Sequence, residues 1–180
     1  RNLLYFYGIA TAFIFSNTHP MKHMNVQDKT DLLLYEIDSR RDDLISLTQD
    51  LIRIPTLNPP GENYREICEF LDQRLQKHGF STELLRAHGT PGDSEKFPRW
   101  NVVARREGAN RGDCVHFNSH IDVVAVGSGW TQDPFGGELL GDKIYGRGAC
   151  DMKGGLAASI IAAEAFIDTN PDFHGAIEIS

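Results

Sequence analysis

The stretch GRGACDMKGGLAASIIAAEAF, residues 146–166, sets four glycines around one aspartate and one lysine, then runs into an Ala/Ile-rich segment. A glycine-rich turn that opens a helix commonly holds an anion, phosphate above all, at the helix N-terminus. The letter order argues against a nucleotide. A P-loop needs Lys followed by Ser or Thr, whereas Lys153 is followed by Gly154 and Gly155. The dinucleotide fingerprint needs a third glycine where Asp151 stands. Glycines 146, 148, 154 and 155 are best explained as permitting a tight turn and close helix–sheet packing. That leaves Asp151 to be explained. Met152 to Thr169, rich in Ala and Ile, predicts a largely buried helix.

Working outward, helical spacing of Leu and Ile from Asp28 to Ile54 predicts an amphipathic helix, with a break near Ser39. PTLNPPGEN (55–63) reads as a rigid loop, because proline continues neither helix nor ladder. Tyr64, Ile67, Cys68, Leu71 and Leu75 trace one face of a second helix, with Gly79 placed to end it. Strands are predicted at FSTELLR (80–86), WNVVARR (100–106), CVHFNS (114–119) and GAIEIS (175–180). GELLGDKIYG (137–146) predicts a hairpin turning at Gly141-Asp142. Alternating helices and strands place the chain in the α/β class, as layers around a mostly buried sheet.

The bulk properties bound the function. A chain of 180 residues, 41% hydrophobic and 24% charged, has the composition of an ordinary globular domain. A net charge of −7 argues against a nucleic-acid-binding stripe. Cys68, Cys114 and Cys150 show no CxxC spacing and read as reduced thiols of a cytoplasmic protein. At the N-terminus, LLYFYGIATAFIF (3–15) is too short to span a bilayer. Residues 1–20 read either as sequence upstream of a start at Met21 or Met24, or as a signal or anchor. Residues 21–180 read as an N-terminal fragment of a longer protein, because HGAIEIS (174–180) alternates like a strand only just begun.

Open α/β sheets place ligands at the carboxyl ends of their strands. One such end is NSHIDVV (118–124), where residues two apart share a face and bring the His120 imidazole beside the Asp122 carboxylate. A carboxylate in that position fixes the tautomer of a metal-bound His. Asp151 is a second acidic group at a helix start, where it could face a cation or simply cap the helix. A lone H-x-D is more commonly a solvated or core-satisfied His. His116 reads as a buried, hydrogen-bonded His, Cys150 as a small packed side chain, and Lys153 as a solvated charge.

Together these segments are more specific than any one of them. HFNSHIDVVAVGSGWTQDPFGGELLGDKIYGRGACDMKGGLAASIIA (116–162) resembles the zinc-dependent deacylase and exopeptidase family. That family includes acetylornithine deacetylase, succinyl-diaminopimelate desuccinylase, aminoacylase and the glutamate-releasing carboxypeptidases. The marks are His120-Ile121-Asp122 at a strand end, Trp130 to Phe135, and Tyr145 to Gly154, with LIRIPTLNPPGEN (51–63) resembling the family's opening helix and loop. Ser119 and Ala125 depart from the usual Gly and Pro.

The resemblance implies that residues 21–180 are the N-terminal part of a metallohydrolase catalytic domain, a zinc-exopeptidase-like three-layer fold with a central, mostly parallel sheet flanked by helices, truncated before a smaller lid and dimerisation domain. It implies two zinc ions per subunit, with cobalt as a substitute. His120 would bind one zinc, Asp122 would be the catalytic-site carboxylate orienting its ring, and Asp151 would bridge the pair. The implied activity is hydrolysis of an N-acyl amino acid in cytoplasmic amino-acid biosynthesis, of acetylornithine deacetylase or desuccinylase type. The alternatives are a metallo-dipeptidase or carboxypeptidase and a non-catalytic relative. Homodimerisation through the lid is implied, without nucleic acid or membrane. The family's Glu-Glu pair, which holds the general base, would follow Ser180, so the 180 residues alone are expected to be inactive. Glu178 is not in such a pair and takes no base role.

Overall fold

The computed structural model describes residues 25–180, so both readings of residues 1–20 fall outside the described part. The predicted break near Ser39 divides two helices, α1 (Val26–Ser39) and α2 (Arg41–Arg53). An Asn25–Asp28 capping box opens α1, each side chain accepting from the other residue's backbone N–H. Helix α3 (Tyr64–Lys77) buries the five residues its periodicity nominates, and the chain leaves it through Gly79 at φ +76°. Helix α4 (Gly154–Thr169) buries Leu156, Ala157, Ile160, Ile161, Ala163, Ala165 and Ile167, as an almost uniformly apolar helix must. Among the described residues no helix is long and apolar enough to cross a membrane.

The strands are β1 (Ser81–Arg86), β2 (Trp100–Glu107), β3 (Asn110–Phe117), β4 (Glu138–Leu140), β5 (Lys143–Tyr145) and β6 (His174–Ile179). Four form one sheet in the order β1-β2-β6-β3, and β4 and β5 form the predicted hairpin. The expectation of a mostly parallel sheet is corrected here. Both β1 with β2 and β2 with β6 run antiparallel; only β3 and β6 run parallel. The reason is connectivity. Parallel neighbours need a crossover of a dozen or more residues, usually through a helix. Only the β3-to-β6 link carries one, namely α4; β2 and β3 are joined by Gly108 and Ala109 alone. Strand β6 inserts between β2 and β3, and the chain crosses its start through Gly108 N–H to Gly175 O and Ala109 N–H to Phe173 O.

Val102, Ala104, Ile177 and Ile179 turn to the core and meet α3 and α4. On the opposite face Arg105 pairs with Glu178 at 3.2 Å and stays partly exposed. The helices described therefore cover one face of the sheet. Between them, the fully buried Glu164 carboxylate accepts two hydrogen bonds from Arg74, at 3.0 and 2.7 Å, and lies 3.0 Å from His78 Nδ1. A carboxylate is retained in such a place only when cations surround it.

Candidate metal centre

Beyond the carboxyl end of β3, Ser119 N–H donates to Ser180 O, and the chain then leaves the sheet as the extended segment 120–123. His120 and Asp122 project from it. His120 Nδ1 lies 3.1 Å from Asp122 Oδ1 and 3.1 Å from the Asp122 carbonyl. Its other ring nitrogen, Nε2, lies 3.0 Å from Asp151 Oδ1. The structure thus brings all three nominated residues together, across 31 positions of chain. Partial burial works against protonation of His120, but the hydrogen bonds to Asp151 and Asp122 and their two charges outweigh it and raise its pKa.

Asp151 sits in an irregular turn, Ala149–Lys153, within which Asp151 and Met152 leave helical backbone angles. It does not cap α4, whose first turn has no side-chain cap. Its side chain is 88% exposed, and its contact among the described residues is His120. The helix-cap reading of Asp151 therefore fails.

The glycines explain how the turn reaches the site. Gly148 has φ +82°, and a side chain there would strike Val123; one at Gly146 would strike Ile52. Both positions bring the backbone against a neighbour that a Cβ would displace.

Three readings of individual residues are corrected. Lys153 is fully buried instead of solvated, and its ammonium donates to Leu51 O at 2.8 Å and Ile54 O at 2.7 Å. Those carbonyls stand at the C-terminal end of α2, where acceptors lack helical partners. Burial pushes the Lys153 ammonium down to about 8. His116 is exposed instead of buried, with Nε2 2.8 Å from Ser180 Oγ, because β3 is an edge strand. Cys150 is exposed instead of packed, since the turn holds it over the site. Trp130 and Arg147, in the quoted motifs, stack on each other at 5.3 Å, and both donate to Val126 O.

The loop 54–58 stitches the two halves of the site together. Ile54 O accepts from Lys153, Thr56 Oγ1 donates to Ile121 O, and Asn58 Nδ2 donates to Asp122 Oδ2 at 3.0 Å. Leu57 and Val123 form a parallel bridge. These partners were not foreseen in the sequence, which showed in PTLN only a rigid loop. A cavity of about 250 Å³ opens over the centre, lined by His120, Asp122, Arg147, Cys150 and Asp151 among others.

An imidazole nitrogen and a carboxylate oxygen converging on one point are a normal donor pair for zinc. They are two donors of the four that zinc usually takes. Among the described residues no group of three or more His, Cys, Asp or Glu side chains is placed to hold a metal. The donors fit zinc in kind.

Residues 116–180 match the model of peptidase family M20/M25/M40. The chain is 40% identical over 131 residues to succinyl-diaminopimelate desuccinylase of Cereibacter sphaeroides, covering 72% of this chain and 31% of that protein. It therefore spans about a third of the length of the curated relatives it matches. Its fold is similar to that of the di-peptidase Dug1p from Saccharomyces cerevisiae, with a TM-score of 0.70 at 21% identity, over 83% of this chain and 33% of that one. Human carnosine dipeptidase 1 superposes with a TM-score of 0.66 at 20% identity, over 84% and 33%. At such identities the likeness is one of fold.

Proposed function

We propose that this chain, which belongs to peptidase family M20/M25/M40 through residues 116–180, supplies part of the metal centre of an amide hydrolase acting on N-acyl amino acids. The observation that carries this reading is the approach of His120 Nε2 to Asp151 Oδ1, with Asp122 behind the other ring nitrogen. His120 and Asp151 would hold a pair of zinc ions, Asp151 serving both. Bound zinc supplies Lewis acidity towards the acyl carbonyl and makes water acidic near neutral pH.

The chain's own residues prepare that centre. Asp122 would accept a hydrogen bond from His120 Nδ1–H, which leaves the Nε2 lone pair to bind the metal. The glycine turn carries Asp151 out of the helix so that its carboxylate is not consumed by capping. Lys153 anchors that turn to α2. Similarity to the desuccinylase supports an acylated diamino acid as substrate, with acetylornithine as the neighbouring choice.

Zinc uptake by the full-length protein and by its His120→Ala and Asp151→Ala variants tests the centre. Uptake by the parent that both variants lose is expected; equal uptake by all three overturns the assignment. In the full-length protein, hydrolysis of succinyl-diaminopimelate or acetylornithine is expected. Hydrolysis of dipeptides alone would move it to the peptidases.

A further inference from the structure

Asp122 is itself held from behind. Its Oδ1 faces His120, while its Oδ2 accepts from Asn58 Nδ2 at 3.0 Å. Asn58 Oδ1 in turn accepts from Arg99 Nη1 at 3.2 Å. The guanidinium lies 5.1 Å over the Tyr64 ring, and a side chain at either Gly61 or Gly92 would fall on it. Those two glycines leave a slot that the arginine fills.

The chemistry of the three groups fixes the amide's orientation. A guanidinium only donates and a carboxylate only accepts, so the atom facing Arg99 must be the oxygen and the atom facing Asp122 the nitrogen. An aspartate at position 58 would present acceptors to both neighbours. Donation by Arg99 polarises the amide and strengthens its own donation to Asp122, as linked hydrogen bonds do in a partly dry site. We infer that Asn58, backed by Arg99, is a positioning residue that sets the Asp122 carboxylate and, through it, the tautomer of His120. The metal-affinity arm of this inference rests on the proposed zinc centre; the orientation of the ring does not.

Ring-nitrogen NMR of His120 tests it in the 180-residue chain, at alkaline pH where the imidazole is neutral. Because Asp151 Oδ1 also faces Nε2 at 3.0 Å, the tautomer is read in an Asp151→Ala background, which is expected to show protonation on Nδ1 alone. Asn58→Asp, nearly isosteric, is expected to show mixed tautomers, and Asn58→Ala and Arg99→Met the same to a smaller degree. Zinc affinity of the full-length protein should fall about tenfold in Asn58→Asp, the scale seen for partners behind a ligand. Unchanged melting temperatures in Asn58→Ala and Arg99→Met separate positioning from folding. Parent-like His120 signals in folded Asn58→Ala and Arg99→Met overturn the inference. If the full-length protein binds no zinc while the His120 tautomer still depends on Asn58, the zinc centre falls and the positioning role stands.

Discussion

Lys153 Nζ lies 2.7 Å from the carbonyl oxygen of Ile54, 99 residues away, and so ties the Asp151 turn to the end of α2. Replacing Lys153 with Ala leaves that carbonyl without its side-chain donor, leaves Leu51 O only the long bond from Ile54 N–H at 3.4 Å, and opens a cavity. A loss of about 3 kcal/mol follows from one or two unsatisfied buried acceptors together with lost packing. Urea denaturation of parent and variant measures it, and a midpoint unchanged by the substitution would show the ammonium to be dispensable.

Gly148→Ala combines a left-handed backbone angle with a collision against Val123. The angle alone costs about 1 kcal/mol for an L side chain. Because Val123 neighbours Asp122, the turn must move away from His120. Weaker zinc uptake should therefore accompany the loss of stability, whereas Gly141→Ala, where a Cβ meets open space, should cost only the backbone term.

Acid should weaken the helix cluster through Asp43. The hydrogen-bonded Arg74 guanidinium holds the Asp43 carboxyl below its ordinary 3.8, with burial opposing. A depressed folded-state pKa stabilises the fold above the unfolded value and loses that contribution as pH falls through the folded one. Asp43→Asn should flatten that part of the pH–stability profile. Glu164→Gln, which strips the buried charge from Arg74, should cost about 3 kcal/mol at neutral pH.

The three thiols should separate by reactivity. Cys68 is buried, and burial pushes its thiol up to about 12; Cys114 and Cys150 are exposed. A disulfide reagent should titrate two thiols in the native chain and the third only on denaturation. Rapid modification of Cys68 in the native state would place α3 differently.

The local elements and the chemistry-bearing residues were legible without coordinates. Periods of 3.6 and 2 depend only on near neighbours, and His120-x-Asp122 becomes a pair through extended backbone alone. Asp151 stood out because its glycines excluded the phosphate readings. What only the tertiary structure decided depends on partners far along the chain. Sheet direction followed from β6 inserting between β2 and β3, which their own patterns do not encode. Lys153 is buried because α2 offers it two carbonyls, and His116 is exposed because β3 ended at an edge. Asn58 found Asp122 across 64 residues, through a hydrogen bond that no local spacing announces.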